Sequence, residues 1–323
     1  MNDDIPDFSA VAAAHDRIAP YVLRTPVWRS DRFDERAGCK VWFKCENRQH
    51  GGSFKYRGAI NALLQMPVGQ RIDTVATHSS GNHGTALALA ARSRGLACYV
   101  VMPEDSARTK IDAVRAAGAQ IMLSAPGTAA REAKLSELLQ EHRAHVVHPF
   151  DDARVIAGQG TAALELLCER PQLDCVVAPV GGGGLIGGTA LACKGISASI
   201  RVVGGEPAEA DDAARSFRSG QRESAGVPQT IADGLRGAIG IRNFALLRAH
   251  VDAVVTVSER EIIDAMRVVL TDLKLLIEPS SAVAVAAVLA AAKRTTLGNQ
   301  IGVILSGGNV DLDSCGYLLQ RAS

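Results

Sequence analysis

The chain has 323 residues, above the ~100–200 typical of one domain, so one or two domains with an ample core are expected. Hydrophobic residues make up 47% and charged residues 21%, the ordinary balance of a soluble globular protein. The formal net charge of +1 gives no electrostatic reason to expect nucleic acid or an anionic membrane as partner.

The opening Met1-Asn2-Asp3-Asp4 is acidic and lacks an apolar segment, so no secretory signal is expected. The first strand falls at 40–45. It leads to Gly51-Gly52-Ser53-Phe54-Lys55-Tyr56-Arg57-Gly58-Ala59, where Ser53 can cap a helix with Ala59, Ile60, Leu63 and Leu64 on its apolar face. Lys55 then lies in the first helical turn, where the helix dipole opposes its charge. Taken alone it reads as a solvated side chain. A functional lysine there gains a lowered pKa, which suits an amine that attacks an aldehyde.

A strand at 74–77 runs into His78-Ser79-Ser80-Gly81-Asn82-His83-Gly84 and a helix at 85–94. Free N–H groups at a helix start bind a carboxylate, and Asn82 can offer an amide to a ring hydroxyl. The plainer reading is a polar capping loop. Strands at 97–102 and 120–123 follow, with helices at 109–117 and 129–142. His142, His145 and His148 cluster where a helix end runs into a strand, and no H-E-x-x-H spacing supports a metal role for them.

The strand at 175–180 precedes a run of glycines that opens a helix: Gly181-Gly182-Gly183-Gly184-Leu185-Ile186-Gly187-Gly188. Backbone free of side chains at a helix N-terminus cradles a phosphate. Gly182, Gly184 and Gly187 also satisfy G-x-G-x-x-G, and Glu206 ends the next strand, at 201–205. That is a dinucleotide fingerprint, and an NAD-dependent dehydrogenase is the remote alternative. It begins mid-chain and leaves the other glycine and serine clusters without a role.

The stretch 211–229 is polar and weakly periodic, which reads as loop-rich surface. A strand at 253–257, a helix at 258–273 and a strand at 301–305 complete the pattern. The longest apolar run, 282–292, is shorter than the roughly 18 residues of a membrane span. Ser306-Gly307-Gly308-Asn309 follows the last strand, where Ser306 can present a hydroxyl to a ring nitrogen or simply end the strand. Strand–helix alternation implies βαβ units and parallel sheet, and clusters just after strands sit where such folds place ligands. Seven cysteines without a C-x-x-C pair read as reduced thiols of a cytoplasmic protein.

Together Ser53–Ala59 (S-F-K-Y-R-G-A), Ser79–Gly84 (S-S-G-N-H-G), Gly181–Leu185 (G-G-G-G-L) and Ser306–Asn309 (S-G-G-N) resemble the fold-type II pyridoxal-phosphate enzymes, specifically the serine racemase and serine/threonine dehydratase group. Stretches at 156–161, 231–234 and 276–280 also look like this group. The resemblance runs from about residue 10 to 315, in the family's order. It implies an α/β fold of two parallel-sheet domains, tryptophan synthase β-like, with the cofactor in the cleft between them. The large domain is expected at 1–64 and 152–323, with a small one inserted at 74–149.

The resemblance also implies roles. Lys55 forms the Schiff base and shuttles the α-proton. Asn82 meets the cofactor's ring hydroxyl, Gly181, Gly182, Gly183 and Gly184 hold its phosphate, and Ser306 meets the pyridine nitrogen. Phe54 and Gly234 border the ring. Ser79, Ser80, Gly81, Asn82 and His83 take the substrate carboxylate. Glu206, the Ala210 carbonyl and Asp212 match the racemase group's metal loop, whose hard oxygens suit Mg²⁺ or Ca²⁺. Ser80 stands where racemases keep a second acid/base and where biosynthetic threonine dehydratases commonly have alanine. A neutral serine at the ring nitrogen favours quick β-elimination or reprotonation over transamination. The expected activity is an ammonia-lyase acting on L-serine, L-threonine or 3-hydroxyaspartate, with serine racemase the close alternative. A homodimer is expected. The group's usual threonine before Gly52 is Gly51 here, and no C-terminal regulatory domain is expected.

Overall fold

The computed structural model describes residues 5–66, 72–79, 81–292 and 297–320. Among these, the strands in chain order are β1 (Val27–Trp28), β2 (Lys40–Cys45), β3 (Thr74–His78), β4 (Ala97–Pro103), β5 (Gln120–Ser124), β6 (His145–Val146), β7 (Cys175–Pro179), β8 (Arg201–Pro207), β9 (Ala253–Val257) and β10 (Gln300–Leu305). They form a six-stranded sheet, β1-β2-β10-β7-β8-β9, and a four-stranded sheet, β5-β4-β3-β6. β1 runs antiparallel to β2, and every other pairing is parallel. Parallel strands need helical crossovers that cover both faces, which favours continuous apolar runs; β7 is buried along its whole length.

The α/β class and the parallel sheets agree with the sequence. β1 and β6 are additional. Each is two residues long, too short to register as an apolar run. The stretch 211–229 differs from its expectation of loop-rich surface. It opens with a helix, Asp212–Ser219, whose inner face buries Asp212, Ala213, Ala214 and Ser216. Small and polar residues on that face hide the usual apolar periodicity. The expected helix at 258–273 is an α-helix, Glu259–Val268, started by a Ser258–Glu261 capping box and continued as a π-turn over Val269–Leu273.

The long apolar run is the helix Pro279–Ala292, buried on all sides against the large sheet and the helix Glu259–Val268. No described helix is long and apolar enough to cross a membrane. On the opposite face the helices Ala153–Glu169 and Gly184–Ile196 cross closely. A Cβ on Gly188 would lie 2.4 Å from the Ile156 carbonyl oxygen, so only glycine permits this approach.

The loops after β2, β3, β7 and β10 leave their sheets at carboxyl ends. In the small sheet β3 is the strand from which the order turns both ways, to β4 and to β6. Such a switch point opens a crevice where α/β folds bind ligands.

Candidate active site

Lys55 is the first residue of the helix Lys55–Leu64. The expected Ser53 cap does not form: Phe54 occupies the N-cap, without a side-chain cap. Ser53 instead bridges Gly307 beside β10, and its hydroxyl is buried without a partner. Backbone pairing of 53–54 with Gly307 and Ser306 has overridden local capping preference, as the Phe54 N–H donating to the Ser306 carbonyl at 2.9 Å also shows. Lys55 Nζ donates to the Pro149 carbonyl at 2.9 Å and lies 5.1 Å from the Phe54 ring centroid. Burial pushes its amine down to about 8, against an opposing pull from Glu278. The lysine helix is held from behind by 156–161: the Gln159 side-chain oxygen accepts from Gly58 N at 3.1 Å, and a Cβ on Gly158 would meet the Arg57 carbonyl at 2.7 Å.

Across the cleft, the helix Asn82–Ser93 starts at the end of the loop from β3. The Ser79 N–H donates to the Val101 carbonyl at 2.9 Å, and the Gly81 N–H to Ser79 Oγ at 3.2 Å. As the first residues of the helix, Asn82 and His83 have no carbonyl within it for their N–H groups. Ser80 lies outside the described residues. Asn82 Nδ2 donates to Glu278 at 2.8 and 3.0 Å, and its Oδ1 accepts from Asn309 Nδ2 at 3.0 Å.

Three histidines back this loop. Burial, with the Lys55 charge second, drives the His83 pKa far below its usual value. Burial also pushes His78 down to about 4 and lowers His148. His148 Nδ1 accepts from the Asp151 N–H at 2.8 Å, which fixes the proton of its neutral ring on Nε2. Burial thus favours the neutral form of all three. No group of three or more His, Cys, Asp or Glu side chains able to hold a metal occurs among the described residues.

The glycine run after β7 opens the helix Gly184–Ile196. Gly183 has φ 90°, and a Cβ on it would lie 2.6 Å from Asn243. A Cβ on Gly182 would lie 2.3 Å from the Phe150 ring. The Gly182 carbonyl is drawn away by Gly240 N and Asn243 Nδ2, at 3.1 and 2.7 Å. What remains is bare backbone at a helix N-terminus, which is what a phosphate requires. Gly234, in the turn Asp233–Leu235, packs beside it and donates to Ser280 Oγ at 3.0 Å. Ser306 is buried at the end of β10.

One lysine with a depressed pKa thus lies in a cleft with a helix start and a loop of bare glycine backbone. The model of the family described as pyridoxal-phosphate dependent enzyme matches residues 18–307. The chain belongs to this family. It is 45% identical to a serine racemase of Arabidopsis thaliana, with 95% of this chain and 94% of the relative covered. It is 44% identical to a β-hydroxyaspartate dehydratase of Paracoccus denitrificans, covering 96% and 98%. Among solved structures, maize serine racemase superposes with a TM-score of 0.92 at 40% identity, covering 98% of each chain. Within the pyridoxal-phosphate family the chain therefore falls in the fold-type II group of serine racemases and dehydratases. The residues fit the cofactor: an amine for its aldehyde, a backbone cradle for its phosphate, and an unpartnered Ser53 hydroxyl buried beside the lysine.

Several side-chain pairings around this site carry no local sequence signal. Arg57, two residues after Lys55, is fully buried and pairs with both Glu46 (2.7 Å) and Glu165 (2.7 Å), while Lys44 pairs with Glu165 at 2.6 Å. Burial opposes the charge on Glu165, but Arg57 and Lys44 hold its pKa low. Lys110 pairs with Asp233 across the cleft. In the proposed metal loop, Glu206 accepts from the N–H groups of Ala213 and Ala214 at 2.9 and 2.7 Å, and Asp212 accepts from Ile239 N at 2.8 Å. Burial, then the charges of Asp212 and Asp211, push Glu206 up to about 8.

Proposed function

We propose that this chain is a pyridoxal-phosphate-dependent ammonia-lyase that converts a small hydroxy amino acid, L-serine, L-threonine or 3-hydroxyaspartate, to a keto acid and ammonia. The observation that carries the reading is the Lys55 amine, lowered to about 8 by burial and held by the Pro149 carbonyl at 2.9 Å. An amine with that pKa is partly neutral at physiological pH and can both attack an aldehyde and move a proton.

When bound, pyridoxal phosphate supplies the electron sink for negative charge at the substrate Cα. Backbone of Gly181, Gly182, Gly183 and Gly184 holds the phosphate. Asn82 faces the ring hydroxyl, Ser306 the pyridine nitrogen, and Phe54 and Gly234 border the ring. The loop of Ser79, Ser80, Gly81, Asn82 and His83 holds the α-carboxylate, chiefly through the helix-start N–H groups. Lys55 Nζ takes the Cα proton and delivers it to the β-hydroxyl, which departs as water. The enamine released hydrolyses to the keto acid and ammonia. The neutral histidines place no competing cation behind the carboxylate loop.

Racemisation is the second reading. It is favoured by the sequence position of Ser80, which matches the one where racemases keep a second acid/base, and by the relatives named serine racemase. The resemblance further supports division into the domains 1–64 with 152–323 and 74–149, and a cytoplasmic homodimer; the seven cysteines are free. A divalent cation, Mg²⁺ or Ca²⁺, is proposed at Glu206, the Ala210 carbonyl and Asp212. Two carboxylates lie together there, and each keeps lone pairs beyond its backbone hydrogen bonds. A panel of hydroxy amino acids assayed for keto acid, with chiral chromatography for D-serine, tests the activity. No keto acid and no inversion from any of them would overturn it.

A further inference from the structure

Glu278 precedes the helix Pro279–Ala292 and is only 4% exposed. Its backbone N–H donates to the Gly307 carbonyl at 3.1 Å, which brings its side chain into the cleft. There it belongs to a row of polar groups whose directions are fixed from both ends. At one end the Gly51 carbonyl accepts from Asn309 Nδ2 at 2.7 Å. A carbonyl only accepts, so this settles which end of the Asn309 amide is nitrogen. The same nitrogen donates to Asn82 Oδ1 at 3.0 Å. At the other end the Glu278 carboxylate, also acceptor-only when ionised, takes Asn82 Nδ2 at 2.8 and 3.0 Å. A flipped Asn82 amide would set oxygen against carboxylate and nitrogen against a donor, and lose both bonds. Burial raises the Glu278 pKa above the ordinary carboxylate value, and the bond from Asn82 and the charges of Lys110 and Lys55 oppose that rise.

We propose that Glu278 is the positioning residue for Asn82: its carboxylate locks and polarises the amide, so that Asn82 turns an N–H, and not its oxygen, toward the ring oxygen of pyridoxal phosphate. This rests on the reading of Asn82 as the residue that meets that oxygen. The amide nitrogen carries two hydrogens, so one serves Glu278 and the other the cofactor. A charge-assisted bond on one hydrogen strengthens the donor on the same amide.

The test is a titration of apoenzyme with pyridoxal phosphate, reading the dissociation constant, the visible absorbance maximum and the pH dependence of that band. Asn82→Ala should weaken binding about ten-fold, the loss expected of one hydrogen bond, and move the band. Glu278→Gln keeps the shape and removes the charge; it should weaken binding about three- to ten-fold and move the band in the same direction. The double variant should be no weaker than Asn82→Ala alone, because Glu278 acts through Asn82. Glu278→Asp, which restores the charge, should recover part of the loss, and it gives the same comparison where the glutamine variant is poorly folded. Losses that multiply in the double variant would overturn the proposal, as would a Glu278→Gln protein with unchanged band and affinity. An Asn82→Ala protein indistinguishable from wild type would instead overturn the reading of Asn82.

Discussion

Lys110 and Asp233 form an ion pair that ties the helix Arg108–Ala116, beside the small sheet, to the turn Asp233–Leu235 on the large one. The stem of the same lysine covers Gly81: its Cδ would lie 3.0 Å from a Cβ placed there. The pair thus spans the cleft beside the loop proposed to hold the substrate carboxylate.

Solvent-accessible pairs of this kind contribute up to about 1 kcal/mol, worth a few-fold in an equilibrium. Lys110→Met is expected to raise KM for the amino acid about five-fold while leaving cofactor affinity unchanged. Exchanging the charges, Lys110→Asp with Asp233→Lys, should recover part of that. In wild type KM should rise with ionic strength, and in Lys110→Met it should not. Steady-state kinetics in a salt series checks both, and a salt response unchanged by the substitution would exclude the pair as the cause.

Lys55 sets the pH dependence of cofactor capture. Its amine is pushed down to about 8, so it is mostly protonated below that pH and mostly neutral above it. Only the neutral amine attacks an aldehyde. The rate at which apoenzyme captures pyridoxal phosphate should therefore rise through about pH 8 and level off above, well below the ordinary lysine range near 10.4. Stopped-flow absorbance across pH 6–10 measures it (about one point per half unit suffices). Lys55→Ala should show neither the absorbance change nor turnover.

The eight longer strands were legible because each is a run of apolar residues bounded by turn residues. The helix Asp212–Ser219 was not, because its buried face is Asp212, Ala213, Ala214 and Ser216. In the site, local strings marked Lys55, Asn82, the glycine run and Ser306. Glu278 and Asn309 lay inside recognisable strings, yet nothing local told that they face the same amide. Lys110 with Asp233, and Arg57 with Glu46 and Glu165, are brought together only by the tertiary fold. Ser53 shows the reverse error: a good capping residue by type, it is diverted by pairing with Gly307.

The buried group of Lys44, Glu46, Arg57 and Glu165 balances two positive charges with two negative ones. Removing one carboxylate leaves a cation buried without enough charge beside it. Glu165→Leu is expected to cost about 3–5 kcal/mol of stability, the range for breaking such a pair. Urea unfolding of holoenzyme, compared with an exposed-pair control such as Lys134→Met, measures it. A loss no larger than the control's would show that the group carries no net anchoring of the lysine helix.

At the metal loop, a bound cation should favour the charged forms of Glu206 and Asp212, which burial now disfavours. A chelator is expected to lower the melting temperature by several degrees, consistent with loss of a ligand worth ~1–3 kcal/mol. Adding back Mg²⁺ or Ca²⁺ should restore it. Glu206→Gln should melt at the chelated temperature and respond to neither treatment. Equal melting of wild type with and without chelator would remove the cation from the assignment.

Ser80 is the residue proposed to separate elimination from racemisation. Inverting Cα needs a proton donor on the cofactor face opposite Lys55, because one base serves one face efficiently. Elimination needs no such donor. Wild type should form D-serine from L-serine more slowly than it forms pyruvate. Ser80→Ala should abolish racemisation and D-serine elimination while keeping much of the L-serine elimination. Chiral chromatography beside a keto-acid assay on both proteins reads all three rates. Absence of D-serine from wild type at high enzyme loading would leave a plain dehydratase. Equal loss of both activities in the variant would assign Ser80 to holding the carboxylate loop, since a hydroxyl that only shapes the loop affects both reactions alike.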